Sequence, residues 1–179
     1  MNKKLQDGKN AVSTTHRYIY IKTIMILYND KYRIETTRAD WCAYRTGCYF
    51  VTICTCNREC VFGTVDCRGK VCYSQTGMVA HDELAQICCR FPNVRMHASV
   101  VMPNHVHILL SLDDDSRPLC DVVGGYKAGV SRKCHRFGFI FAWQTRFHDH
   151  IVRTARAFDM IKRYIEHNPE TWAEDCFHR

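Results

Sequence analysis

The run VVMPNHVHILLSL (residues 100–112) constrains the fold more than any other part of the chain. Side chains alternate between the two faces of a β-strand, so residues two apart point the same way. In HVHILLSL that alternation puts His105, His107 and Leu109 on one face and Val106, Ile108 and Leu110 on the other, the face expected to meet the core. Two neutral imidazoles side by side form a bidentate half-site for a divalent metal. The same spacing serves equally for a polar strand edge, and the pair alone does not choose between the two.

A second constellation lies downstream in FDMIKRYIEHNPETW (residues 158–172). Phe158, Ile161, Tyr164 and Ile165 recur at helical spacing, and Pro169 stops the helix because its ring crowds the residue before it. The expected helix runs from about Thr154 to His167. Tyr164 and Asn168 lie one turn apart on one face of it. Alone, Tyr164 suits a half-buried aromatic and Asn168 suits a helix end.

The rest of the chain supplies an α+β pattern. CYFVTICTC (residues 48–56) is rich in β-branched and aromatic residues and reads as a core strand ended by Asn57, Arg58 and Glu59. Gly63 and Gly69 break VFGTVDCRGKVCYS into a hairpin or a pair of small strands. Residues 76–90 and 119–136 read as helices. VRMHASVVM and HVHILLSL are strands separated at Pro103-Asn104 by a turn or a bend, SLDDDSRPL is a loop, and residues 137–143 form a short aromatic strand or loop. This order predicts a ferredoxin-like antiparallel sheet with helices packed on one face, and a last helix able to cross the sheet and bring Tyr164 to the histidines. Residues 1–27 read as a basic, flexible extension, and residues 28–179 as one domain. Residues 18–44 carry no clear pattern.

Composition narrows the function class. With 46% hydrophobic and 24% charged residues the chain is ordinary for a globular protein, and its apolar stretches are too short to cross a membrane. No apolar core follows the charged start, so no secretory signal is expected, and the expected compartment is the cytoplasm. Twenty-five Lys+Arg against 18 Asp+Glu leave a formal charge of +7. The positives gather in one region: Lys127, Arg132, Lys133, Arg146, Arg153 and Arg163, with His150 among them and Tyr126, Phe137, Phe139, Trp143 and Phe147 interleaved. That mixture suits a groove that tracks a phosphate backbone and stacks bases. It also suits a solvated charged face over core aromatics. The twelve cysteines contain no C-x-x-C pair, hence no zinc-finger spacing, and are expected to be small buried thiols.

Histidine pair, tyrosine and asparagine together suggest one chemistry. A tyrosine hydroxyl, with a reference pKa of ~10, is a weak nucleophile at neutral pH. A cation held by two imidazoles and an amide oxygen, Mg2+ or Mn2+, keeps positions open for phosphate oxygens and orients phosphorus for in-line attack.

The strings YFVTICTCNRE, MPNHVHILL, WQTRFHDHIVR and YIEHNPETW resemble, in order and spacing, the single-tyrosine HUH transposases, within the IS200-like superfamily, and in particular their REP-associated tyrosine branch. HUH denotes histidine, hydrophobic, histidine, here His105-Val106-His107. The resemblance covers roughly residues 28–176. It implies a ferredoxin-like fold and a transposase that nicks and rejoins single-stranded, hairpin-associated DNA through a 5′-phosphotyrosine intermediate. By that likeness Tyr164 is the nucleophile and His105, His107 and Asn168 are the metal ligands. His150 and Arg153, in the FHDHIVR segment, then support the tyrosine helix or contact DNA, with a solvated loop as the plainer reading. The resemblance favours a monomer, with a dimer as the alternative. Two other classes stay open: a domesticated, non-catalytic hairpin-DNA-binding protein, and a Cys/His metal or redox protein.

Overall fold

The computed structural model describes residues 44–113, 117–175, 177 and 178. The expected extension at residues 1–27, the unplaced stretch up to residue 43 and residues 114–116 of the expected acidic loop lie outside the described residues.

Four strands form the main sheet: β1 (Gly47–Cys54), β4 (Val94–Met102), β5 (His105–Leu112) and β6 (His148–Val152), in the spatial order β4-β5-β1-β6. Every neighbouring pair is antiparallel. Helix α1 (Gln75–Arg90) connects β1 to β4, helix α2 (Leu119–Arg136) connects β5 to β6, and helix α3 (Ala155–His167) follows β6. A small hairpin, β2 (Gly63–Val65) with β3 (Val71–Tyr73), is inserted before α1. The strand, helix, two strands, helix, strand order with this pairing is the ferredoxin-like arrangement expected from the sequence.

Pro103-Asn104 is a turn and not a bend, because Met102 pairs directly with His105 across it. Residues 137–143, read as a short strand or a loop, form a loop with a single bridge between Thr55 and Trp143. The HDHIV segment, expected as a supporting segment or a solvated loop, is instead the edge strand β6. An acid in the middle of a His-x-His is tolerated at a sheet edge, where side chains stay partly solvated, and Asp149 is half-buried.

The two faces of this sheet differ in what they bury. One face carries Tyr49, Val51, Ile53, Val106, Ile108 and Leu110 against Leu84 and Ile87 of α1 and Val122, Tyr126 and Val130 of α2. Each such side chain contributes roughly 1.5–3 kcal/mol on burial. Ser74 caps α1 by accepting from the Gly77 amide at 3.0 Å. Only a glycine fits at 77, since a Cβ there would stand 1.9 Å from the Phe62 carbonyl oxygen. The two helices are clamped by Glu83, which is buried and paired with Arg90 and with Lys133, the latter at 2.6 Å. Burial pushes the Glu83 carboxyl up, but hydrogen bonds from Lys133 and Arg90 outweigh it and hold the group below its ordinary value. Helix α3 packs against β4 and β5 from the opposite face.

Candidate active site

Strand β5 places His105 and His107 on the face turned away from the α1/α2 core, and both are fully buried. Their Nε2 atoms are 3.0 Å apart. Directly across from His107 stands Thr52 of β1, with its hydroxyl 2.9 Å from His107 Nδ1. His148 and His150 of β6 lie opposite Thr52 and Phe50, so they share this face.

The turn before β5 fixes one imidazole. Asn104 Nδ2 donates to the carbonyls of Arg58 (3.2 Å) and Phe177 (2.8 Å), which leaves its Oδ1 facing His105 Nδ1 at 2.8 Å. Asn104 thereby requires the His105 proton on Nδ1 and leaves Nε2 as a bare lone pair. Two lone pairs at 3.0 Å would repel, so with this spacing His107 donates from Nε2 and Thr52 donates to His107 Nδ1. The Arg58 carbonyl reaches Asn104 because Asn57 and Arg58 both adopt left-handed backbone conformations, φ 53° and 55°. Burial, with a smaller push from Arg58, brings the His105 pKa down to about 3. Burial and then the His105 neighbour hold His107 well below its ordinary value. Both rings are neutral at pH 7, the form in which imidazole ligates metal.

Helix α3 opens with Thr154, whose hydroxyl accepts from the Ala157 amide at 3.1 Å. It closes at Asn168, its C-terminal cap. Tyr164 faces the sheet with its hydroxyl 3.5 Å from His107 Nε2, and its ring meets Phe50 edge-on. Pro169 then starts a 3-10 turn, Pro169–Glu174, that carries the chain back over the histidines. Phe177 covers His105 with ring centroids 4.6 Å apart, and the Arg58 guanidinium lies over Phe177. Asp175 arrives in the same layer. Its Oδ2 accepts from the Tyr164 hydroxyl at 3.2 Å and from Asn168 Nδ2 at 2.8 Å, and its Oδ1 accepts from the Phe177 amide at 2.7 Å. Tyr164 is 8% exposed, Asp175 7% and Asn168 0%.

Among the described residues one buried polar atom in this layer has no hydrogen-bond partner, Asn168 Oδ1. Leaving such a group unsatisfied costs roughly 1–3 kcal/mol. A cation would satisfy it, and two imidazole nitrogens with carboxamide and carboxylate oxygens form a donor set that fits a divalent ion. Ligand atoms of His105, His107 and Asp175 all lie within 4.8 Å of one another.

The fold thus brings His105, His107, Tyr164 and Asn168 into one buried cluster. The basic residues are divided. Lys127 is turned inward, donating to the carbonyls of Gln144 (2.7 Å) and Thr145 (3.3 Å), and burial lowers its pKa. Lys133 is held by Glu83. Arg132, Arg146, Arg153 and Arg163 are exposed, and His150 is half-buried with its pKa lowered by burial and then by Arg153. The cysteines depart from the expectation of small buried thiols. Cys54 and Cys134 are buried, whereas Cys60, Cys67, Cys72, Cys88, Cys89 and Cys120 are exposed, and among the described residues none of these forms a disulfide. Among the described residues no cysteine joins the His105, His107, Asp175 group.

Four participants escape a reading of the sequence alone: Thr52, Asn104, Asp175 and Phe177. Asn104 was findable, as an amide next to a candidate ligand in a two-residue turn. Thr52 needed the register of β1 against β5. Asp175 and Phe177 carry no spacing signal, since they reach the site through the turn after Pro169. Among the described residues no helix is long and apolar enough to cross a membrane.

Comparison with known proteins bears on the family and the fold. An uncharacterised protein of Haemophilus influenzae strain Rd is 29% identical over 155 residues, covering 74% of this chain and 86% of that protein. The solved structure of a REP-associated tyrosine transposase bound to a REP hairpin superposes with a TM-score of 0.58 at 18% identity, covering 76% of this chain and 74% of that one. A putative transposase from Deinococcus radiodurans gives 0.47 at 19% identity, over 73% of this chain and 96% of that one. The family model for IS200-like transposases matches residues 49–168, from β1 to the end of α3 and across both histidines, Tyr164 and Asn168. The chain belongs to the IS200-like transposase family.

Proposed function

We propose that this transposase nicks and rejoins single-stranded, hairpin-associated DNA through a covalent 5′-phosphotyrosine at Tyr164, and that it belongs with the REP-associated branch. The observation that carries the reading is the meeting of the Tyr164 hydroxyl, the two buried imidazoles and the unpartnered Asn168 oxygen in one layer. His105, His107 and Asn168 would hold Mg2+ or Mn2+. Bound there, such an ion would supply charge withdrawal from the scissile phosphate and help to orient it. Tyr164 Oη attacks phosphorus, the Oη–P bond forms, the P–O3′ bond breaks, and the phenolic proton ends on the departing 3′ oxygen. Rejoining reverses these steps with a 3′ hydroxyl as attacking group. Asn104 and Thr52 hold the two imidazoles in the orientation this requires.

Tyr164 lies beside His107 of its own chain, which supports a monomer that supplies its nucleophile in cis. The similar REP-associated tyrosine transposase is bound to a REP hairpin, which supports a hairpin substrate here. Arg132, Arg146, Arg153 and Arg163 are the exposed cations we assign to the phosphate backbone, with His150 supporting the tyrosine helix. The expected workplace is the cytoplasm.

The test is incubation of the full chain with labelled hairpin DNA bearing a single-stranded flank. A denaturation-resistant adduct that maps to Tyr164 is expected with Mg2+ or Mn2+, and none in EDTA. Strong nicking in excess EDTA, or an adduct at another tyrosine, would overturn the reading.

A further inference from the structure

We propose that Asp175 is a fourth ligand of the metal centre, delivered by the turn that follows the tyrosine helix; this rests on the reading of His105, His107 and Asn168 as ligands. Three observations carry it. The first is position: a carboxylate oxygen of Asp175 lies within 4.8 Å of ligand nitrogens on both histidines, and all three residues are buried.

The second is an unbalanced charge. A buried carboxylate is costly unless a positive group or a full set of donors compensates it. Among the described residues the donors to the Asp175 carboxylate are three and all neutral: the Tyr164 hydroxyl, Asn168 Nδ2 and the Phe177 amide. Among the described residues no lysine or arginine forms an ion pair with it. An ionised carboxylate offers about four lone-pair sites, so three donors leave one unused. A divalent cation beside the two imidazoles supplies the missing positive charge and takes that site.

The third is the orientation of Asn168. Its Nδ2 is tied to Asp175, so the amide cannot flip without setting its oxygen against the carboxylate. Asp175 therefore fixes which amide atom stays unpartnered, and that atom is the hard oxygen. The result is two nitrogens from β5 and two oxygens from the end of α3 and the turn after it, a mixed set suited to Mn2+.

The experiment is titration of Mn2+ into the full chain without DNA, following free Mn2+ by its paramagnetic resonance signal. Wild type is compared with Asp175→Asn, Asp175→Glu and His105→Ala, with thermal unfolding to confirm that each folds. Asp175→Asn keeps the shape and loses the charge, so Mn2+ binding should weaken at least ~10-fold, the lower bound set by loss of even an outer partner of a metal ligand. Asp175→Glu should regain part of it, and His105→Ala should lose binding. In the unaltered chain, Mn2+ should also shift a carboxylate stretching band in the infrared difference spectrum, which decides the matter if Asp175→Asn fails to fold. Wild-type affinity in a folded Asp175→Asn variant, or no carboxylate shift, overturns the role of Asp175; if His105→Ala still loses Mn2+, the site itself stands. Undiminished binding in His105→Ala overturns both.

Discussion

The two faces of strand β5 share one backbone and one degree of burial, yet they are built on opposite rules. Val106, Ile108 and Leu110 meet other hydrocarbons, where contacts are many, weak and interchangeable. His105 and His107, one residue out of step, meet individual polar atoms at fixed distances: Asn104 at 2.8 Å, Thr52 at 2.9 Å and each other at 3.0 Å. The first face holds the fold together by area. The second is specified atom by atom, and the exception, the lone Asn168 oxygen, is where an outside partner is expected. Equal burial therefore says nothing about equal purpose.

Separate losses should expose the difference. The largest effect is expected at Tyr164→Phe, which removes one oxygen. The covalent adduct should fall by more than about 1,000-fold, as for removal of a group made essential in the transition state. Thermal unfolding should shift by no more than about 3 kcal/mol, because the lost hydroxyl also donates to the buried Asp175 carboxylate. Ile108→Ala should do the reverse. Loss of a buried aliphatic side chain should cost roughly 2–5 kcal/mol in denaturant titration, while adduct formed per folded molecule stays near wild type. If Ile108→Ala abolished the adduct in a chain still fully folded, the division between faces would be wrong.

Acid provides a gentler probe. His105 is held neutral in the folded chain, with its pKa brought down to about 3, while in the unfolded chain it takes a proton near the ordinary 6.5. Between those values the unfolded chain binds the extra proton, so stability is full above about pH 6.5 and falls as pH drops towards about 3. One imidazole accounts for about 1.4 kcal/mol per pH unit in that window. His107, also held below its ordinary value, adds to the slope. Unfolding midpoints measured from about pH 7 to about pH 4 should show the decline. Replacing His105 by glutamine should flatten part of it.

The smallest effect separates two neighbours on α2. Exposed Arg132 should matter to DNA alone: Arg132→Ala should reduce the salt slope of hairpin binding by about one and leave unfolding unchanged. Lys133 is engaged by buried Glu83, so Lys133→Ala should register in stability and hardly in the salt slope. Identical responses from the two variants would show that the ion pair does not reserve Lys133 for the fold.

Much of this was legible in the sequence because alternation and helical spacing are local. Val106 and Ile108 declare one face of a strand and His105 and His107 the other, and Tyr164 and Asn168 declare one side of a helix. The β6 strand was hidden by the acid at Asp149, which breaks the apolar alternation expected of a core strand and is tolerated at an edge. Lys127 and Lys133 looked like members of a basic surface because composition records charge and not direction. Asp175 was out of reach for another reason. Its place depends on how a turn after Pro169 folds back in space, and nothing in WAEDCFHR fixes that path.

The Thr52 hydroxyl carries a consequence of its own. A hydroxyl can give or take a hydrogen bond by rotating about one C–O bond, which is a small and fast motion. While His107 keeps its proton on Nε2, Thr52 gives; once that proton moves to Nδ1 and frees Nε2 for a cation, Thr52 takes. The backbone need not shift in either state. Valine at 52 would fill the same space and could do neither, leaving the imidazole to choose its own form. On the proposed metal site, threonine at this point would work as a rotary bearing under the ring, so that loading and unloading would cost the sheet nothing.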